Sequence, residues 1–208
     1  MLILHFRWES RHGGFPDTMD AEVDMRSDAA KRRATILHEA RRLFAEHGGS
    51  VALEAIAEAS GVGIATLYRN FASRAELADA VALDILADIR AAAGAGLAVV
   101  DDAASAAWDD FLTRLVGLEL GALADALALR APAELTAAVR QAQDDALGEV
   151  AALLAAARAR GIVRAELDPV ELVLAIGMIT RPQPAALQAR APHLTARLAA
   201  IFAAGLRA

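Results

Sequence analysis

The stretch Gly61-Val62-Gly63-Ile64-Ala65-Thr66-Leu67-Tyr68-Arg69-Asn70-Phe71 decides how this chain is read. An apolar segment with Leu53, Ile56, Ala57 and Ala59 precedes it. A capping signature, Ser73-Arg74-Ala75-Glu76, follows it. Gly61 can take the positive φ that a tight turn needs. The pattern predicts two short helices joined by a glycine-centred turn, the second running from Ile64 to Asn70. Tyr68, Arg69 and Asn70 at its end can all hydrogen-bond to phosphates or base edges. That is the layout of a helix-turn-helix, over about 52–71, whose second helix enters a DNA major groove.

Working outward, the first helix is expected from about Asp28 to His47, with Ile36, Leu37, Ala40, Leu43 and Phe44 on one face. Gly48-Gly49 stops it. After Ser73 a fourth helix is expected to reach about Ala92 and to end at Gly94 and Gly96. Asp101 to Leu120 reads as another helix, carrying Trp108, Phe111 and Leu115. Pro132 to Arg160 reads as the next, stopped by Gly161. Asp168-Pro169-Val170-Glu171 is a helix start, with an Asp cap, Pro in the first turn and Glu three after the cap. That helix runs to about Thr180, and Pro182 and Pro184 break it. A last helix from about Pro192 carries Leu194, Leu198, Ile201 and Phe202. Residues 1–25 read as a disordered tail, in which Met19 and Met25 each offer an alternative first residue.

Composition agrees with an all-α fold. Hydrophobic residues make up 56% of 208, but aromatics only 4%, and much of the remainder is alanine, the best helix former. There is no cysteine, which removes disulfides, thiolate catalysis and cysteine metal sites. The longest uncharged run, between Arg90 and Asp101, is far short of the roughly 20 apolar residues of a membrane span. A cytoplasmic protein is expected, nucleoid-associated when bound to DNA. Net charge is −6, yet from Arg26 to Glu76 eight basic residues face six acidic ones. A basic segment in an acidic chain suits a local nucleic-acid footprint, although a mixed surface would look similar.

The run from Lys31 to Val81 resembles the amino-terminal domain of TetR/AcrR-type bacterial transcriptional regulators. The residues that carry the likeness are Ile36-Leu37-His38-Glu39-Ala40, Leu43-Phe44-Ala45-Glu46-His47-Gly48, Leu53 to Ala59 with Gly61-Val62, Thr66 to Phe71, and Arg74-Ala75-Glu76-Leu77. Gly161-Ile162-Val163-Arg164 and Gly205-Leu206-Arg207 resemble the SbtR-like subgroup. The resemblance implies an all-helical homodimer, with a DNA-binding domain over 26–89 and an effector-binding and dimerisation domain over 90–208. It implies a repressor that a small molecule releases from a palindromic operator. Three positions depart from the family's habit. Ala52 replaces a Ser or Thr helix cap, a loss of about 1 kcal/mol. Gly63-Ile64 replaces a polar-basic pair, and Asn70 replaces a His.

The candidate DNA contacts are Lys31, Arg32, Arg33, Ala52, Gly63, Ile64, Ala65, Thr66, Tyr68, Arg69, Asn70 and Arg74. Tyr68 is a core aromatic or, by resemblance, a phosphate contact; Phe71 suits the core better. Arg74 stands at a helix start, where a cation opposes the dipole and a bound phosphate would relieve it; otherwise it is a solvated charge. Lys31, Arg32 and Arg33 are a solvated helix start or, by resemblance, backbone contacts. An apolar effector cavity is expected among Trp108, Phe111, Leu115, Val139 and Ile176, though Trp108 and Phe111 also suit a core. Arg181, His193, Asp144 and Asp145 are polar residues on apolar helices, each a surface position or a pocket polar group. The dimer interface is expected at Leu172, Val173, Ile176, Ile179, Leu194, Leu198, Ile201 and Phe202. No HExxH, paired-His or glycine-rich phosphate pattern occurs, so no metal, cofactor or catalytic residue is assigned. The competing reading is a small helical enzyme or carrier with a non-functional helix-turn-helix.

Overall fold

A computed structural model describes the backbone of residues 18–48, 50–118, 120–128, 134–163 and 166–208, and side chains from residue 28 onward except 125 and 128. Among the described residues there are nine helices: α1 (Thr18–His47), α2 (Leu53–Ala59), α3 (Ile64–Asn70), α4 (Arg74–Gly117), α5 (Leu120–Ala128), α6 (Ala137–Ala159), α7 (Pro169–Thr180), α8 (Ala185–Arg190) and α9 (Leu194–Leu206). The all-α expectation holds. None of these helices is long and apolar enough to cross a membrane.

The chain divides into two compact units, 1–34 and 35–208. In the first, the expected tail falls mostly outside the described residues, but from Thr18 the backbone is already helical. Asp20, Glu22 and Asp24 lie near that helix start, where acids favour the dipole. Lys31 pairs with Asp28 at 3.7 Å, both exposed.

The second unit is built on one continuous apolar core. Its amino-terminal part buries Ile36, Ala40, Leu43 and Phe44 of α1 against Leu53, Ile56, Leu67, Phe71, Leu77 and Val81. Gly48 takes φ 80° after α1, in the left-handed region that Gly enters without strain.

α4 overturns the expected stops at Gly94 and Gly96. It runs past both and leaves helical geometry only at Ala103 (φ −147°, ψ 53°), just after Asp101-Asp102. Gly96 is buried for packing, not termination: a Cβ there would lie 2.9 Å from Leu153 of α6. α4 runs through the expected 89/90 division without a break. α5 and α8 are additional short helices. The expected start at Pro132 lies outside the described residues, and α6 begins at Ala137, capped by Thr136, whose hydroxyl accepts from the Val139 N–H at 3.3 Å. α7 starts as its sequence predicts: Asp168 accepts from the Val170 N–H, and Glu171 from the Asp168 N–H, at 2.7 and 3.0 Å. After α9 the chain closes back, the Ala208 N–H donating to the Ile162 carbonyl at 3.1 Å.

Candidate nucleic-acid interface and effector cavity

The turn between α2 and α3 is fixed by backbone chemistry. Gly61 (φ 65°) donates to the Glu58 carbonyl, and Val62 donates to the Ala57 carbonyl, each at 3.0 Å. These are the paired bonds of a Schellman stop, which needs a left-handed residue at the glycine. The Ser60 hydroxyl adds a bond to the Ile56 carbonyl at 2.6 Å. At the start of α2, Ala52 makes no side-chain cap bond, as its methyl must dictate. Gly63 opens α3, also without a side-chain cap.

α3 has two faces. Leu67 and Phe71, one turn apart, are fully buried. Ile64, Ala65, Tyr68 and Arg69 are exposed, Tyr68 at 47%. Phe71 is therefore the core aromatic, and Tyr68 is available to a ligand. Thr66 and Asn70 are partly buried. Both are engaged locally, which the sequence did not reveal: Arg69 donates to the Thr66 hydroxyl at 2.7 Å, and the Asn70 amide to the Thr66 carbonyl at 2.8 Å. The signal was there in the i, i+3 and i, i+4 spacing.

Arg74 is partly buried in the first turn of α4. Ser73 accepts from the Glu76 N–H at 3.1 Å, while the Glu76 carboxylate reaches one residue beyond the cap, to the Ala72 N–H at 2.8 Å. Lys31, Arg32 and Arg33 are exposed on α1, in the first unit.

The basic excess is smaller at this surface than the composition suggests. Arg42 is held by Glu39 and Glu46 on its own helix. Arg41 donates to Asp84 and Asp88 of α4 at 2.5 and 2.7 Å. Burial acts against the Arg41 charge, but the hydrogen bonds to Asp88 and Asp84 outweigh it and hold its pKa above the ordinary guanidinium value.

A cavity of about 90 Å³ opens farther along α4. Leu86 and Ile89 of α4 form one wall, and Leu120 and Leu123 of α5 another. Gln143 and Leu147 of α6 and Val173 and Leu174 of α7 complete it. None of Trp108, Phe111, Leu115, Val139 and Ile176 lines it. Each is almost wholly buried in the core, and the Trp108 and Phe111 rings lie 5.7 Å apart. Arg181, His193, Asp144 and Asp145 do not line it either; Asp145 instead faces Arg90 at 3.6 Å.

The expected interface residues divide in the same way. Leu172 and Ile176 are buried within the protomer, so they have no face left for a partner. Val173, Ile179 and Phe202 are partly buried. Leu194, Leu198 and Ile201 are exposed along one stripe of α9, Ile201 at 62%. On α7 the exposed stripe is Val170, Leu174 and Met178, Met178 at 78%. α7 is apolar all round, so its sequence could not fix which face points outward. Among the described residues no cluster of His, Cys, Asp or Glu could hold a metal ion.

Residues 36–81 match the family of bacterial regulatory proteins, tetR family. Residues 102–208 match the C-terminal domain of SbtR-like transcriptional regulators. A TetR transcriptional regulator from Streptomyces coelicolor is 30% identical, over 84% of this chain and 98% of its own, with a TM-score of 0.51. A TetR transcription regulatory protein from Mycobacterium vanbaalenii is 28% identical, over 88% and 99%, with a TM-score of 0.54. Reduced NemR from E. coli shares the fold at 19% identity, over 86% and 98%, with a TM-score of 0.51. No curated protein matches the chain. A helix-turn-helix held on one core with a helical carboxy-terminal region that matches the SbtR-like domain leaves one conclusion: the chain belongs to the TetR family and is a DNA-binding transcriptional regulator.

Proposed function

We propose that this regulator is a repressor, which binds a palindromic operator as a homodimer and leaves it when a small molecule binds the carboxy-terminal region. The observation that carries the DNA reading is the division of α3: Leu67 and Phe71 anchor one face in the core while Ile64, Ala65, Tyr68 and Arg69 stand open on the other. In this reading the Tyr68 hydroxyl and Arg74 contact phosphates. Thr66, Arg69 and Asn70 face base edges, with Gly63, Ile64 and Ala65 allowing close approach. Ala52 lies at the groove edge, and Lys31, Arg32 and Arg33 add backbone contacts by family resemblance.

Two recognition helices about 34 Å apart, one DNA turn, would read the half-sites. The stripes Val170-Leu174-Met178 and Leu194-Leu198-Ile201 supply the apolar surface for pairing. An effector releases DNA only by binding more tightly to a conformer with the wrong spacing. DNA binding belongs to about 26–89 and sensing to about 90–208. The two functions overlap on α4, where Leu86 and Ile89 line the cavity.

A gel shift on the intergenic DNA beside the gene tests this reading. Saturable binding that weakens steeply with salt is the expected result. No preference for that DNA over unrelated duplex would overturn it and return the question to a helical carrier or enzyme.

A further inference from the structure

The cavity between α4, α5, α6 and α7 has the chemistry of one ligand class. Among the described residues its lining includes no charged and no aromatic side chain. A carboxylate or ammonium entering it would lose hydration with no counter-charge to replace it. An organic cation would find no aromatic face to stack on. The neighbouring charges, Arg90 and Asp145, face each other instead of the cavity.

Gln143 is the single polar side chain in the described lining, and it makes no hydrogen bond to any described residue. Its amide offers a donor and an acceptor together, which suits a hydroxyl, carbonyl or amide oxygen. Size narrows the choice further: a dry apolar cavity of roughly 150 Å³ holds benzene, and this one encloses about 90 Å³. Ala124 of α5 lies at its exposed edge, so a longer chain can run outward past α5.

Resting on the effector-release reading, we propose that the effector is an uncharged, compact aliphatic molecule with one oxygen function, held by Gln143. Hexane, hexanol, hexanoate and hexylammonium share a chain and differ at the head, so they serve as probes. Thermal unfolding of the full chain without DNA is the readout. Hexanol at about 100 times its Kd should raise Tm by roughly 5–10 °C. Hexanoate and hexylammonium at the same concentration should not. Gln143→Leu should weaken hexanol about 3–10-fold and leave hexane unchanged. Ala124→Phe, at the exposed edge of the lining, should block both.

The proposal is overturned if a charged probe stabilises as well as hexanol, if hexane equals hexanol in the unaltered chain, if Gln143→Leu changes nothing, or if no probe moves Tm. DNA plays no part in this readout. A failed gel shift with these ligand effects intact would therefore sink the repressor reading alone, and the reverse pattern would sink the ligand class alone.

Discussion

Arg41 of α1 bridges to Asp88 of α4 at 2.7 Å with the same nitrogen that reaches Asp84 at 2.5 Å. The two acids lie one turn apart on α4, and between and beside them Leu86 and Ile89 point into the cavity wall. One short stretch of α4 thus holds the helix-turn-helix scaffold on one face and the cavity on the other. The Arg41 side chain is only 12% exposed, but both acids are more than 40% exposed, so solvent screens part of the attraction. Arg41→Met would leave two carboxylates repelling at i, i+4. A loss of about 1–2 kcal/mol in urea unfolding is expected. In a double-mutant cycle with Asp88→Asn, additivity within about 0.5 kcal/mol would show that the bridge carries no coupling. Despite the cost of burial, the hydrogen bonds to Asp88 and Asp84 raise the folded-state pKa of Arg41 above its ordinary guanidinium value, so its contribution is complete below the ordinary value and is lost only as pH rises beyond it.

Phosphate contacts and base contacts separate by salt and by sequence. Arg74→Ala should weaken binding to every duplex alike and reduce the slope of log affinity against log salt by about 1. Tyr68→Phe should weaken all duplexes alike with the slope unchanged, since it removes a neutral donor. An unchanged slope in Arg74→Ala removes that residue from the phosphate contacts.

Thr66 orders its neighbours: Arg69 bonds to its hydroxyl and Asn70 to its carbonyl. Thr66→Val keeps a methyl for thymine but takes away the acceptor that holds Arg69. It should therefore change operator preference at the base under Arg69, by roughly 1–3 kcal/mol. A preference profile identical to that of the unaltered protein would place Thr66 and Arg69 away from the bases.

Where one backbone choice decides the structure, the sequence was enough. Gly61, the Ser73 cap and the Asp168-Pro169-Glu171 start each sit where local hydrogen bonding admits few alternatives, and the turn before α3 and the starts of α4 and α7 fall where expected. Where tertiary packing decides, it was not. Gly96 reads as a helix stop, yet helix-on-helix packing against Leu153 keeps it in α4. Trp108 and Val139 read as cavity walls because bulky apolar residues line both cavities and cores, and composition cannot separate the two. Leu172 and Met178 lie on a mostly apolar helix whose phase is defined by its neighbours α4, α5, α6 and α9. Gln143, ordinary in sequence, stands out only through its apolar surroundings.

Gly61 gives a clean test of the turn. A Cβ there would meet nothing within 4 Å, so steric crowding is absent. The cost of Gly61→Ala is then the left-handed backbone alone, about 1–2 kcal/mol. Chemical denaturation reads this directly. A neutral alanine would mean that the turn between α2 and α3 does not use positive φ.

Assembly can be tested without disturbing the protomer. Ile201 is mostly exposed on α9 and Met178 still more so on α7. An aspartate at either site lies on the surface of the isolated chain and should change its stability by no more than about 0.5 kcal/mol. Across a two-fold seam the same charge would be buried without a partner, and twice over. Ile201→Asp and Met178→Asp are therefore expected to sediment as monomers with unchanged helical circular dichroism. Each should lose operator affinity although no DNA-facing residue is altered, because one subunit reaches only one half-site. Core residues behave differently: Leu172→Asp should unfold the protomer itself. If the unaltered chain sediments as a monomer at micromolar concentration, or if both surface variants remain dimeric, these stripes are not the seam, and the spacing of the recognition helices must be set elsewhere.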